Sequence, residues 1–375
     1  MKWLLALLFL WPGQALGESI EAGLEQVLGQ LDLTGFLDTA RQAQSSIDWR
    51  GLLISLAKGE QVLSAQGLLE ELIARLMNVL AGSLRRMSLL LIPAIVMGVV
   101  QALDSDRASD TVKTACHYAC YLALAALMAQ DLGEHMALCQ ESMGRMSQAM
   151  QNLFPLLLTL LAAVGGTASA AFFQPAVVAA SGFMTALITH VTLPLTTAAA
   201  LMTLLSHLGQ RISVSRLGNL LQKAAAWTLG VSFTVFIGVT MIQGLGTAAV
   251  DGISIRTAKF AIDNFVPFVG GMFADTVDTL VGCSLLIKNA LGVTGLILLA
   301  GILAGPMTQT LGAALMYQMC AALLQPVAES RLLKCMADFS RVMMLMFVVQ
   351  MSLGAMFILL IAQMLVVGNL TVMLR

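Results

Sequence analysis

Four ionisable residues interrupt one of the longest apolar runs of this chain: Asp263, Asp275, Asp278 and Lys288. Asp275 and Asp278 are three residues apart, a spacing that places both carboxylates on one face of a helix. An ionisable group inside hydrocarbon costs about 2.5 kcal/mol or more, so such residues usually face a cavity, a partner charge or another subunit. Two interpretations follow: a polar lining for a pore or ion relay, or a helix at the membrane surface with its acids in water.

A second group of residues superficially resembles a metal site. Cys116 and Cys120 are one helical turn apart with His117 between them. The histidine points about 100° away from the cysteine face, and no second pair completes the four ligands that a structural zinc ion needs. We therefore expect packed thiols and no disulfide framework.

Enzyme signatures are missing from the sequence. There is no Walker A loop, no G-x-S-x-G and no H-E-x-x-H, the motifs that would indicate nucleotide hydrolysis, a serine nucleophile or a zinc protease. The four histidines are not placed to act together. We expect a protein that is not an enzyme, with no cofactor, no metal and no nucleic-acid partner.

The composition of the chain indicates which kind of secondary structure must position these residues. The chain has 375 residues, of which 58% are hydrophobic and 11% are charged, and its mean hydropathy is +0.86. A typical soluble domain has about 25% charged residues. Inside hydrocarbon, backbone groups must be satisfied within the segment, which favours helices. The fold class is therefore an all-α, polytopic helical membrane protein.

The apolar runs predict about seven to nine membrane segments, some of them short or re-entrant. Gly165 and Gly166 interrupt one run, and they permit either close helix packing, the interpretation that we favour, or a helix break. We expect spans at 88–103, 115–132, 153–173, 175–208, 224–245, 265–324 and 342–367. For 265–324 we favour a division into 265–287, 290–303 and 307–324 over one span with long interfacial arms.

Positive charge orients these segments, because short cytoplasmic loops are rich in Lys and Arg. The stretch 209–223 carries Arg211, Arg216 and Lys223 with no acid among them. It stays inside only if 175–208 enters and returns, as a re-entrant pair or as two thin spans broken near 190–194. A single long crossing does not satisfy the rule in this arrangement.

The N-terminal part differs from the rest. Residues 1–17 have a basic start, a short apolar run and a small-residue end, the pattern of a secretory signal peptide. Residues 18–86 are polar and helical in pattern, and we expect a small extracytoplasmic helical segment before a polytopic membrane domain at 87–375. An apolar stripe at helical spacing within it is a candidate for docking a partner, for packing on the membrane domain or for lying in the membrane interface; Leu69, Ile73 and Leu76 represent it.

Two stretches of sequence resemble a known family. SIRTAKFAIDNFVPFVGG at 254–271 and DTVDTLVGCSLLIKN at 275–289 are similar to the stage III sporulation protein AE family of endospore-forming bacteria. The order of parts is similar too: a signal peptide, an extracytoplasmic helical segment and a polytopic domain that extends to the end. The likeness covers most of the chain, and its most specific part is 257–289.

The resemblance implies a function that composition and spacing do not. It implies a non-enzymatic membrane subunit of a channel-like complex between mother cell and forespore, needed for forespore development. The implied location is the mother-cell-derived outer forespore membrane, and the implied partners are the lipid bilayer, other membrane and ring-forming subunits and a separate ATPase. The alternative from the residues is a stand-alone secondary transporter with Asp275 and Asp278 in an ion or substrate path.

Overall fold

A computed structural model describes residues 27–29, 31–43, 47–59, 65–102, 110–207, 215–265, 270–326 and 330–373. These residues form helices and short connections, with no strand among them. The signal-like segment 1–17 lies outside the described residues. The helices are α1 (Thr34–Ala43), α2 (Trp49–Ala57), α3 (Ala65–Ala102), α4 (Asp110–Ala163), α5 (Thr167–Leu187), a π-turn (Ile188–Thr192), α6 (Leu193–Ser206), α7 (Ser215–Phe265), α8 (Gly270–Leu323) and α9 (Ser330–Met373).

The described helices include four that are long and apolar enough to cross a membrane: Thr167–Ser206, Ser215–Ile242, Leu280–Leu323 and Ser330–Leu370. The count rises to five if the bent pair Ile73–Ser83 and Arg86–Val96 is one span. Large apolar side chains, Trp227 and Ile242 among them, are exposed on these helices, as expected for surfaces that face lipid. The helical membrane class is thus confirmed, whereas the predicted count of seven to nine segments is not.

α4 is a single helix where the sequence predicted two spans separated by a polar stretch. Its 54 residues extend about 81 Å at 1.5 Å per residue. The polar stretch 133–152 continues the helix, because it alternates buried apolar and exposed polar side chains at helical spacing. Pro155 lies inside α4 without ending it.

The helix ends instead at Ala163, within the predicted span 153–173. Gly165 has a φ of 101°, which glycine adopts without steric cost and other residues adopt rarely. Gly166 follows as the N-cap of α5. The helix break is therefore observed, and Gly166 is also closely packed, because a Cβ there would lie 2.9 Å from a methyl of Leu161.

The predicted hairpin at 175–208 was also wrong. α5, the π-turn and α6 form one uninterrupted helical run, Thr167–Ser206. Pro194 lies within this run, shortly after the π-turn, so the helix continues through a residue that lacks the N–H of a regular turn. The π-turn Ile188–Thr192 takes up the irregularity just before it.

The predicted division of 265–324 into three segments was wrong too, because a helix continues through a proline here as well. α8 runs without a break from Gly270 to Leu323 and contains Pro306. Membrane helices tolerate proline because neighbouring groups satisfy the freed backbone carbonyl. On the C-terminal side of Pro306 the helical bonding continues, and the Thr310 hydroxyl donates an additional bond to the Pro306 carbonyl oxygen at 2.9 Å.

Glycines allow α8 and α9 to pack closely, the most extensive helix contact of the molecule. A Cβ at Gly354 would overlap a methyl of Leu303, and a Cβ at Gly292 would overlap the side chain of Leu365. Such small residues let membrane helices approach without a hydrophobic driving force. α9 also contacts α7, α6 and α4, so it is central to the bundle.

The two short helices α1 and α2 pack onto α4 and α8. Trp49 is buried in the main core, and the Asn152 amide of α4 donates to the Gly35 carbonyl at 3.2 Å and to the Thr39 hydroxyl at 2.7 Å. Before α1, the Thr34 hydroxyl and N–H donate to the Asp32 carboxylate, and these bonds hold the pKa of that carboxyl below its usual value. The segment 34–57 is therefore anchored to the long helices.

Candidate functional site

The predicted acids lie around the connection between α7 and α8. Asp263 belongs to the last turn of α7, and Asp275 and Asp278 belong to the first turns of α8. Their side chains lie outside the described residues, so their role in a polar path stays a prediction.

Lys288 is the predicted site residue whose surroundings are described. It lies on α8, is 1% exposed, and its ammonium donates to the carbonyl oxygens of Leu365 at 3.1 Å and Met364 at 3.4 Å. Gly368 makes room for it, since a Cβ at residue 368 would overlap the ammonium. Two carbonyl dipoles of α9 thus solvate a charge that lipid would not. Its hydrogen-bond partners among the described residues are these two carbonyls of α9.

The predicted docking stripe lies on the first half of α3. Ile73 is 59% exposed, whereas Leu76 is partly buried. Leu69 belongs to the same helix, and its side chain lies outside the described residues. Val79, one turn further, faces Gly312 of α8. One edge of this half-helix therefore packs on α8 while Ile73 remains available, and docking stays a prediction.

A charged network that the sequence did not predict joins α3, α4 and α8. The Arg86 guanidinium lies 3.2 Å from a Glu134 oxygen and 3.8 Å from an Asp131 oxygen. The Tyr317 hydroxyl donates to the other Asp131 oxygen at 2.6 Å. Charge-assisted bonds of this kind are stronger than neutral ones. His135, on the next turn of α4, is buried beside them.

A second polar network joins α4, α6 and α9. The Tyr121 hydroxyl donates to the Leu204 carbonyl at 2.6 Å and lies 3.6 Å from the Cys335 sulfur. The ring of His207, which ends α6, lies 3.7 Å from a carboxylate oxygen of Asp338, and Asp338 also pairs with Arg341. This network ties the C-terminal end of α6 to the N-terminal third of α9.

The cysteines form neither a metal site nor a disulfide. All six are free thiols; Cys116 and Cys120 are partly buried and the other four are buried. Among the residues that the structure describes, no group of three or more His, Cys, Asp or Glu is arranged to hold a metal ion.

The sequence analysis missed the Arg86 network because its members are far apart in the chain. Tyr317 lies 186 residues after Asp131, and only the fold brings them together. One local signal was present: Asp131 and Glu134 are three residues apart, the same spacing that drew attention to Asp275 and Asp278. A lone tyrosine in an apolar run was the second signal, since a buried phenol needs a partner.

Comparison with known proteins identifies relatives over most of the chain. Residues 47–368 match the family described as Stage III sporulation protein AE. Stage III sporulation protein AE of Bacillus subtilis (strain 168) is 32% identical over 326 residues, which cover 87% of this chain and 82% of that relative. No solved structure matches the chain.

Proposed function

Since the chain belongs to the stage III sporulation protein AE family and has a role in sporulation, we propose that it is a non-enzymatic membrane subunit of a channel or secretion-like complex. The complex connects mother cell and forespore, and this subunit lies in the mother-cell-derived outer forespore membrane. Its partners are other membrane and ring-forming subunits and a separate ATPase. The observation that carries the proposal is the family match over nearly the entire chain.

The basic connections favour a six-crossing arrangement for this subunit, which adds α4 to the five segments that length and hydropathy select. With the N-terminal segment outside, α3, α4, the α5–α6 run, α7, α8 and α9 each cross once. The connections 208–214 and 327–329 then lie inside, next to Arg211, Arg216, Lys223, Arg331 and Lys334. The positive-inside rule is satisfied without a hairpin. α4 must cross despite its charges, and the Arg86 network pairs two of them.

The function is tested by deletion and recovery in a sporulating host. Deletion should leave engulfment intact and stop later forespore development, and a tagged copy purified in mild detergent should bring its membrane, ring-forming and ATPase partners. A chain that is recovered alone, and that accumulates solute in proteoliposomes without partners, would replace this proposal with the stand-alone transporter. The buried Lys288 is the feature that favours that second candidate.

A further inference from the structure

One exposed face of α4 carries only polar and small side chains. Its members recur at alternating intervals of four and three residues: Gln130, Glu134, Ala137, Glu141, Gly144, Gln148 and Gln151. From its first to its last member this face, the α4 polar face, extends about 32 Å along the helix. That length is close to the roughly 30 Å thickness of the hydrocarbon core of a bilayer.

The α4 polar face lacks what the other long helices present to lipid. Residues 123–163 are all described, and no large apolar side chain among them is exposed. By contrast, α7 exposes Val231 and Val235, and α9 exposes Val348 and Met351. Aliphatic side chains are favourable in hydrocarbon, whereas polar and charged side chains are costly there. Lipid is therefore an unfavourable neighbour for this part of α4.

Contacts with α8 fix the depth of the α4 polar face. The Tyr317 hydroxyl donates to Asp131, and a Cβ at Gly295 would overlap a methyl of Leu153. These two contacts are the same number of residues apart on both helices. Between them, α4 and α8 therefore lie side by side in opposite directions, and all of the polar face except Gln130 lies within this interval.

The same interval of α8 belongs to an apolar part of the bundle. α8 carries no Asp, Glu, Lys or Arg from residue 289 to residue 323, within its candidate span Leu280–Leu323. Gly354 of α9 faces Leu303 there, and α9 carries none of these four residue types from 342 to 373. The α4 polar face therefore lies at hydrocarbon depth. Ionisable groups at that depth face the bundle interior, a partner charge or a water-filled cavity.

The charged members of the face have partner charges and still remain half open. Arg145 lies 2.6 Å from Glu141, one turn before it, and Arg86 of α3 lies 3.2 Å from Glu134. These four side chains are 44–57% exposed, so neither the pairs nor the bundle interior enclose them. A water-filled cavity is the environment that solvates their open halves. The pairs also leave the face without net charge.

We propose that the α4 polar face lines a water-filled conduit through the membrane, and that further copies of this chain close the conduit. One face of a single helix cannot surround water, so other walls are required. Copies of this face attract one another, since Glu141 of one copy can meet Arg145 of the next and the face has no net charge. Head-to-tail repetition of one interface closes into a ring. This role rests on the proposed function, in which α4 crosses the membrane, and names the face that water contacts.

The test uses single cysteines in the full-length chain, in membranes of the sporulating host that are opened so that an impermeant thiol reagent reaches both sides. The four buried native cysteines stay in place, and the partly buried Cys116 and Cys120 are replaced by Ala. The reporter variants are Ala137→Cys, Gly144→Cys and Gln148→Cys. All three positions are exposed, and a Cβ at Gly144 meets nothing within 4 Å.

Val348→Cys and Met351→Cys of α9 are the matched controls, because both residues are exposed apolar side chains within a candidate span. A thiol reacts as its thiolate, which apolar surroundings disfavour, so the reporter variants should react at least about tenfold faster than the controls. A short bifunctional thiol reagent should also link two copies of the chain through Gly144→Cys.

Reporter positions that react as slowly as the controls would overturn the proposal. Fast reaction without linked copies would overturn it too, since another subunit would then lie opposite α4. Ala137→Cys and Gln148→Cys keep the proposal testable if Gly144→Cys does not support sporulation. Recovery of partner subunits from the same strains judges the proposed function separately. An unreactive face in a strain with normal recovery would reject the conduit alone, whereas a parent chain that is recovered without partners would reject the function.

Discussion

At the scale of single residues, the solvation of Lys288 is the most demanding feature of the bundle. An ammonium taken out of water needs replacement dipoles, and here they are the carbonyls of Leu365 and Met364. The arrangement depends on the missing side chain at Gly368. Glycine at this position is therefore required by a neighbouring charge and not by its own backbone.

This dependence gives the first prediction. Gly368→Ala should destabilise the chain by about 1–3 kcal/mol, as overpacking usually does, measured as a lower thermal unfolding midpoint in detergent. Gly230→Ala is the matched control, because a Cβ there meets nothing within 4 Å, and it should be neutral or slightly stabilising. The double variant Gly368→Ala, Lys288→Ala should lose less unfolding free energy than the sum of the losses of the two single variants. Strictly additive losses would show that Lys288 is not what the new methyl disturbs.

The second prediction separates charge from packing at the predicted acids. If Asp275 and Asp278 line a polar path, replacing both with Asn should abolish sporulation while protein level and complex recovery stay unchanged. Asparagine keeps the volume and loses the charge. Asp38→Asn with Arg41→Gln is the control, since these two exposed residues pair with each other and surface pairs contribute little. Normal sporulation in the Asp double variant would favour acids in interfacial water.

At the scale of elements, the sequence predicted the helical type and placed several helix ends incorrectly. The apolar runs sufficed to predict helices, because inside hydrocarbon a segment must satisfy its own backbone hydrogen bonds. Breaks were expected at Pro194 and within 265–324, yet the helices continue through Pro194 and Pro306. The break occurs at Gly165 instead. Proline is a weaker stop signal in a membrane bundle than in water, whereas a positive φ interrupts a helix in either environment.

The third prediction concerns the first half of α3. Changing Leu69, Ile73 and Leu76 together to Ser should abolish recovery of the partner subunits while membrane insertion stays unchanged. Leu89, Ile92 and Val96 are the control triple, because they are exposed apolar residues of the same helix after the bend. Equal loss of recovery in both triples would indicate a general weakening of α3, and full recovery with the Ser triple would exclude docking at the stripe.

At the scale of the whole molecule, the side of the membrane on which each connection lies can be measured. In a cysteine-free background, single cysteines at positions 45 and 163 should react with an impermeant reagent from outside, and those at 105, 213 and 328 only after the cytoplasmic face is opened. The expectation follows from six crossings and the basic connections. Labelling of 45 and 213 from the same side would contradict both this arrangement and the orientation assigned to the basic loops.

The candidate sites show where sequence reasoning ends for the molecule as a whole. Lys288 could be selected from the sequence because a charge in an apolar run is conspicuous. Its carbonyl partners could not, since backbone atoms carry no sequence signal. The Arg86 network was missed because it needs the packing of three helices, and its acids resemble ordinary surface charges until Tyr317 meets them.

The Lys288 contact also has a consequence for the order of biosynthesis. The acceptor Leu365 follows the donor by 77 residues, and a chain emerges from the ribosome N-terminus first. Lys288 is therefore synthesised well before Met364 and Leu365, whose carbonyls accept its bonds. Until those residues arrive, its ammonium must stay in water or at the lipid headgroups. α8 reaches its final depth only when α9 arrives. A nascent chain that stops before residue 364 should keep Lys288 accessible, which makes the last helix the step that completes insertion of the one before it.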